Sequence, residues 1–417
     1  IGFWRRYLMD LQINKNNPTI MHVDLNSCFA TVEQQANPHL RGKPIVIAAY
    51  TTPNGCIVAP SIEAKKYGIK VGMTVREARL LYKDVIVRDP DPELVRDVHI
   101  KFVKIFTDYS PFVYPKSIDE VVVEFKGAPV FKRGLVNIGF DIKKRLRMEV
   151  GEWISCNIGI ATNRFLAKLA SSLHKPDGLD VITYKNIKDV YSSVSLVDLN
   201  GINTRYEARL NSNGIFNPLQ FLKARELFLR KNVFKSIVGH YWYLRLRGWE
   251  TDDVEIKRKI FGQDFAIGKK TSDPIELSRI LMKLCEKMGR RLRRSGSEAL
   301  GIHVGVVYED WTYWHKSKKF NRAMYTTDDL FIKAMWIFNM REKEKKVSKI
   351  SVSCFGLIPA KTSQINLFDV EDKKRKISDA LDRINDRYGE YVITPALMMD
   401  MKKIVLDRIA FGNVDNN

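Results

Sequence analysis

Residues 257–360 read as strand, helix, strand, strand, helix, strand, and that order constrains the fold more than any other feature of the chain. A strand near Lys257–Ala266 precedes a helix from Pro274 to Arg294, closed by Gly296. The proline suits a first helical turn and the glycine a helix end. Strands over Ala299–Trp311 and Lys319–Tyr325, a helix capped at Thr326 or Thr327, and a strand over Val347–Ile358 follow. This βαββαβ order is the split-βαβ plan of ferredoxin-like domains. The segment holds 22 basic and 11 acidic residues, with clusters at Arg290, Arg291, Arg293 and Arg294 and at Lys316, Lys318 and Lys319. Either cluster alone also fits a solvated face, but two in one basic domain favour phosphate contact.

The whole chain points the same way. Its 417 residues carry 69 Lys plus Arg against 48 Asp plus Glu, a formal charge of +21, so a polyanionic partner is expected, nucleic acid before membrane. With 45% apolar and 11% aromatic residues, the chain has material for several buried cores, which excludes a mostly disordered protein. Cys28, Cys56, Cys156, Cys285 and Cys354 form no C-x-x-C pair, which argues against a zinc site or a disulfide framework and for a cytoplasmic location. No apolar stretch approaches the roughly 20 residues that span a bilayer. The segment Ile1–Thr19 carries charges and amides where a signal peptide needs an apolar centre.

Upstream, Ile20–Val23 is a short apolar run ending at Asp24. Asn26 or Ser27 then caps a helix through Asn37. Strands are expected over Pro44–Ala49 and Gly55–Ala59, and helices over Ser61–Tyr67, Val75–Tyr82 and Glu93–Tyr109. The strand Val121–Phe125, a helix to about Val150, the strand Ile154–Ala161 and the helix Asn163–Leu173 complete an α/β block. Lys175-Pro176-Asp177-Gly178 turns into a strand over Leu179–Thr183. Residues 187–250 read as short helices, 251–256 as a linker, and everything from Lys361 as a tail containing a charged helix over Asp372–Tyr388.

Three carboxylates stand out. Asp24 ends an apolar strand, where an unpaired charge is costly; a helix cap or a lysine partner would also explain it. Asp119 and Glu120 open another strand, and adjacent strand residues point to opposite faces, so both reach one site only where the strand begins with a bend. Such oxygens beside a polyanion suit Mg²⁺, and two such ions serve in-line displacement at phosphorus.

Four ordered motifs carry a resemblance. His22-Val23-Asp24-Leu25-Asn26-Ser27-Cys28-Phe29-Ala30 with the Pro38–Pro44 stretch, and Gly55–Lys65 with Gly68–Met73, are two of them. Ser117-Ile118-Asp119-Glu120 is the third, and Asn163–Ala170 with Lys175–Gly178 the fourth. Together they resemble the Y-family of translesion DNA polymerases, bacterial type, over roughly 20–360. Polymerase IV and the catalytic subunit of polymerase V are the branches it is similar to. The resemblance implies an α+β multidomain right hand: palm (20–36 and 93–186), small fingers (37–92), helical thumb (187–250) and βαββαβ little finger (257–360). The extension 1–19, the linker 251–256 and the tail 361–417 lie outside these.

By the same resemblance, Asp24, Asp119 and Glu120, with the Leu25 carbonyl, would bind two Mg²⁺ ions for low-fidelity nucleotidyl transfer. Phe29 would be the steric gate against a ribose 2′-hydroxyl; otherwise it is a core phenylalanine. Ser27, Cys28, Phe29, Ala59, Lys65 and Lys175 would contact the nucleotide, and Gly55, Cys56, Ile57 and Val58 would roof the nascent pair. Gly201, Ile202 and Gly214 match a helix-hairpin-helix that holds DNA phosphate, with Asn203 replacing its usual second glycine. Gln364-Ile365-Asn366-Leu367-Phe368 resembles a sliding-clamp-binding peptide, with Gln364, Leu367 and Phe368 as anchors. Ile62, Ala59 and Lys65 depart from the Tyr, hydroxyl residue and Arg that many members carry, leaving fewer donors for the triphosphate. That pattern is nearer to polymerase V.

The implied partners are primer-template DNA, deoxynucleoside triphosphates and a clamp, with the chain a monomer. A non-catalytic DNA-binding scaffold would keep the charge and the tail motif without needing the acidic triad. A nucleotide cyclase would need the triad but not the basic domain. The polymerase reading requires residues 24, 119 and 120 to converge without being tied up by Lys and Arg.

Overall fold

The computed structural model describes residues 12–253, 258–360, 371–389, 391–399 and 401, and the chain divides near residue 254 into two units. In the first, β1 (Ile20–Leu25) turns sharply into α1 (Cys28–Ala36). A small subdomain follows, comprising β2 (Ile45–Ala48), β3 (Ile57–Pro60), α2 (Ile62–Lys66), α3 (Val75–Leu81) and β4 (Ile86–Arg88). Next come α4 (Pro92–Thr107), β5 (Phe112–Pro115), β6 (Glu120–Glu124), α5 (Leu135–Arg145), β7 (Cys156–Ala161), α6 (Arg164–Leu173) and β8 (Leu179–Val181). The short helices α7 (Ile187–Ser193), α8 (Thr204–Asn211), α9 (Pro218–Lys223), α10 (Glu226–Phe228) and α11 (Val238–Leu246) close the unit.

Its main sheet has the order β5-β6-β1-β7-β8, with β1 central and antiparallel to both neighbours. The two-residue period of β1 puts Met21, Val23 and Leu25 into a core with Phe102, Phe106, Val121 and Val123. Ile20 belongs to the opposite core, with Phe165, Leu166 and Leu169 of α6, so His22 and Asp24 share that α6 face. Each fully buried phenylalanine contributes about 1.5–3 kcal/mol. The helix sits close because β7 carries Gly159, where a Cβ would lie 2.0 Å from the Ala167 carbonyl oxygen. Asn163 caps α6 by accepting from the Leu166 amide, and Asp91 caps α4 ahead of Pro92. Such caps contribute about 1 kcal/mol each.

Two local expectations change. Ser27 stands at the N-cap of α1 in a left-handed conformation (φ 48°, ψ 41°), and neither it nor Asn26 caps the helix through its side chain. A side-chain cap typically needs an extended backbone at that position, which Ser27 lacks. β5, flanked by Pro111 and Pro115, was not expected as a strand; it lies on the sheet edge, where proline is tolerated.

The second unit runs β9 (Ile260–Thr271), α12 (Pro274–Arg294), β10 (Ser297–Tyr308), β11 (Tyr313–Met324), α13 (Thr327–Phe338), β12 (Val347–Pro359) and α14 (Glu371–Tyr388). Its antiparallel sheet has the order β11-β10-β12-β9. Each crossover helix therefore joins parallel strands separated by one other strand, the split-βαβ relation. The second and fourth strands of the unit are central, where a ferredoxin sheet centres its first and third. Leu277, Leu281, Leu284, Met288 and Leu292 of α12 pack on Ile302, Val304, Val306, Ile350 and Val352.

The chain after 360 was expected as a tail, yet its described part is built into this unit. Met398 and Met401 join the core, and Arg293 donates to both oxygens of Asp382 on α14, at 2.6 and 2.9 Å. An exposed helix spacing its acids toward one face reads alike whether it is solvated or docked, which hid this from the sequence. No described helix is long and apolar enough to cross a membrane.

Candidate active site

Antiparallel pairing sets Asp24 directly opposite Glu120, and the Leu25 amide donates to the Asp119 carbonyl at 2.9 Å. The bend before β6 lets Asp119 turn into a cavity of about 500 Å³ that Asp24, Leu25, Phe29, Lys65 and Lys175 also line. Glu120 turns instead toward α6. There Lys168 Nζ reaches both of its oxygens at 2.8 Å, and His22 Nε2 lies 3.7 Å away. His22 is itself held through Nδ1 to Ser171 Oγ at 3.1 Å.

The electrostatics separate the three carboxylates. Burial pushes the Asp119 carboxyl above its usual range; the Ser117 hydroxyl pulls it back, and Asp24 and Glu120 push it further up. Burial also raises Glu120, but His22 and Lys168 outweigh it and hold the group at about 2. Asp24 pairs with Lys175 Nζ at 3.0 Å. Burial, and then the neighbouring Lys175, lower Lys65, while Asp24 raises it.

Asp24 and Asp119 thus share the cavity while Glu120 stays outside its lining, and Asp24 and Glu120 each carry a lysine. Among the described residues, no three His, Cys, Asp or Glu side chains form a ready-made metal cage. The donors still suit a hard divalent cation. Asp24 and Asp119 share one cavity and offer it carboxylate oxygens, the ligand type such a cation takes.

Among the other expected site residues, Ser27, Cys28, Val58 and Ala59 line the cavity. The Ser27 hydroxyl is buried without a hydrogen-bond partner in the structure. Burial, then Asp119 and Asp24, push the Cys28 thiol well above its ordinary value. Of the four roof residues only Val58 faces the cavity. Ile57 points into the small subdomain's core, Cys56 is exposed, and a Cβ on Gly55 would meet the Tyr50 carbonyl. Strand alternation separates Ile57 from Val58.

Several residues expected to contact DNA have partners within the chain. In the helical module the Ile202 amide donates to Leu199 and the Gly214 amide to Asn211, so neither is spare; the Ile202 side chain is buried. Gly201 keeps a left-handed φ of 97° beside Trp242. Arg290 and Arg293 are buried and, with Arg294, pair with Asp382 and Asp386 of α14. Arg291 instead lies over the Phe261 ring. Lys318 lies over the Trp336 ring of α13, so by alternation Lys316 shares the helix side and Lys319 the open face. Gln364, Leu367 and Phe368 lie outside the described residues.

Sequence reasoning assigned no role to Lys168, His22 or Ser171. Lys168 and Ser171 are one helical turn apart on α6, a spacing that places both on one face.

Residues 23–172 match the impB/mucB/samB family, and 258–367 match its C-terminal domain. DNA polymerase IV of Moorella thermoacetica is 30% identical over 388 residues, covering 91% of this chain and 96% of that one. DNA polymerase IV of Pelotomaculum thermopropionicum is 28% identical over 402 residues, covering 93% and 97%. Among solved structures, a Y-family DNA polymerase chimera of Dbh with a Dpo4 segment superposes with a TM-score of 0.71 at 24% identity. The match covers 81% of this chain and 99% of that one. An insertion ternary complex of Dbh DNA polymerase gives 0.56 at 23%, with the same coverage.

Proposed function

We propose a mechanism from the premise that this chain belongs to the impB/mucB/samB family, the Y-family DNA polymerases, and is a translesion DNA polymerase. Its site would extend a primer 3′ end in the cavity where Asp24 and Asp119 converge. Asp24, Asp119 and Glu120, with the Leu25 carbonyl, would hold two Mg²⁺ ions. Such ions, when bound, lower the cost of forming the attacking oxyanion and of pyrophosphate departure.

The remaining work belongs to side chains of the chain itself. Lys65 and Lys175 bind triphosphate as point charges on flexible stems. Phe29, on the first turn of α1, presents an aromatic wall where a sugar would lie, and excludes a 2′-hydroxyl by volume. Val58 and Ala59 give the base pair a small-residue ceiling that leaves room for a damaged base. Lys168 and His22 orient Glu120.

The observation that carries this reading is the sharing of one cavity by two carboxylates, three lysines and a phenylalanine. A scaffold has no use for such an arrangement and is not favoured. The basic second unit would track the duplex backbone through Lys319 on its open sheet face, and the helical module would contribute at Gly201. Gln364, Leu367 and Phe368 would dock a sliding clamp, and the chain would work as a cytoplasmic monomer.

Primer extension on a defined template, with Mg²⁺ omitted and then restored, tests the reading. Extension that depends on both template and Mg²⁺ supports it. DNA binding without extension under either condition restores the scaffold.

A further inference from the structure

Two of the three carboxylates hold ammonium partners, and the two partners differ in kind. Lys168 projects from the rigid α6, touches both oxygens of Glu120 at 2.8 Å, and does not line the cavity. Lys175 lies in the turn beyond α6, makes a single 3.0 Å contact with Asp24, and lines the cavity with its side chain 42% exposed. The first pair is a fixed brace. The second is the more readily replaced, because its lysine makes one contact where Lys168 makes two and lines the cavity that a ligand would enter.

Lys65 and Lys66 line the same cavity, so three lysines share it with Asp24 and Asp119. Their positive charge offsets the two carboxylates. A bare divalent cation approaching Asp24 meets Lys175 already in contact and Lys65 nearby. A cation arriving with a triphosphate brings the anion that both lysines suit.

Resting on the function proposed above, we propose that Lys175 and the divalent cation compete for Asp24, and that the nucleotide settles the competition by drawing Lys175 onto its phosphates. Metal and nucleotide binding are then coupled through one side chain. Each raises the other's affinity by the same factor, as linkage requires. A bare metal ion binds poorly, so the carboxylates are not loaded until a substrate arrives.

The test reads metal binding and not turnover. Free Mn²⁺ is followed by electron paramagnetic resonance with the full chain bound to a dideoxy-terminated primer-template, with and without a non-hydrolysable deoxynucleotide analogue. In the wild type the analogue should tighten Mn²⁺ binding. Lys175→Met should tighten Mn²⁺ binding without the analogue by about fivefold, the upper range for a partly exposed ion pair, and shrink the analogue's effect by the same factor. Lys65→Met, which removes a cavity charge but leaves the Lys175–Asp24 ion pair in place, should change it less.

Unchanged Mn²⁺ affinity in Lys175→Met, or equal gains in Lys175→Met and Lys65→Met, overturns the exchange. If Mn²⁺ still binds in the wild type and is lost in Asp24→Asn, the polymerase site stands without it. If Asp24→Asn matches the wild type and neither binds Mn²⁺ in the cavity, both the exchange and the site reading fail.

Discussion

Asp24 and Glu120 face each other across the β1–β6 ladder, yet their carboxylates go to different lysines, Asp24 to Lys175 and Glu120 to Lys168. The ladder fixes the separation of the two backbones, while α6 and the turn after it decide which oxygen each lysine reaches. Gly159 is the residue that lets α6 approach closely enough for this.

Phe29 is both wall and core, being only 3% exposed. Phe29→Ala would cost about 3–5 kcal/mol of stability, so Phe29→Leu is the cleaner probe. It should retain the fold and raise ribonucleotide insertion relative to deoxynucleotide by about ten- to a hundredfold, the scale of a small steric change in a pocket. Single-nucleotide incorporation measures the ratio, and an unchanged ratio contradicts the gate.

The docking of α14 predicts a large stability effect far from the cavity. Arg293 has a side chain only 4% exposed and pairs with Asp382. Asp382→Ala removes the carboxylate partner of that buried charge and leaves it only the Tyr325 carbonyl and the Thr327 hydroxyl, which should destabilise the second unit by about 3–5 kcal/mol. The double change Arg293→Met with Asp382→Leu should recover most of the loss in urea unfolding. A single change that costs nothing would show that α14 is not docked in solution.

Alkaline pH should loosen the same helix. Tyr325 donates to Asp379 at 2.6 Å. Burial and that neighbouring carboxylate push the Tyr325 phenol up from 10.0 to about 12. A folded-state value above the unfolded one means the contribution is complete below about pH 10 and is lost as pH rises through about 12. Unfolding midpoints between about pH 9 and 12 should fall less steeply in Tyr325→Phe than in the wild type; parallel curves contradict the assignment.

The two basic clusters should behave differently toward DNA. Lys319→Ala, on the open face, should lower the slope of log affinity against log salt by about 1. Arg290→Met should leave the slope unchanged, because that guanidinium is occupied by Asp386 at 2.7 Å. Equal slope changes would mean that α14 leaves when DNA binds.

Much of this was legible in the residues. The helix Pro274–Arg294 matches its expected span because proline and glycine mark both ends, and Asn163 caps α6 as its type suggests. Of the expected acidic set, Asp24 and Asp119 share a cavity, while Glu120 turns to Lys168. What the residues hid depends on long-range partners. Arg290 and Arg293 read as a phosphate-binding run, and only docking of α14 shows which charges face them. Lys316, Lys318 and Lys319 read as one cluster, although strand alternation splits them. Lys168 lies inside the fourth motif without an evident role, since its partner is 48 residues away on β6.

The central claim is that Asp24 and Asp119 do chemistry together in that cavity. Single-turnover insertion of one deoxynucleotide by Asp119→Asn, with DNA affinity measured in parallel by fluorescence anisotropy, tests it most directly. The account predicts a loss of several kcal/mol of transition-state stabilisation, on the order of a thousandfold in rate, at unchanged DNA affinity. Insertion within a fewfold of the wild-type rate would contradict it.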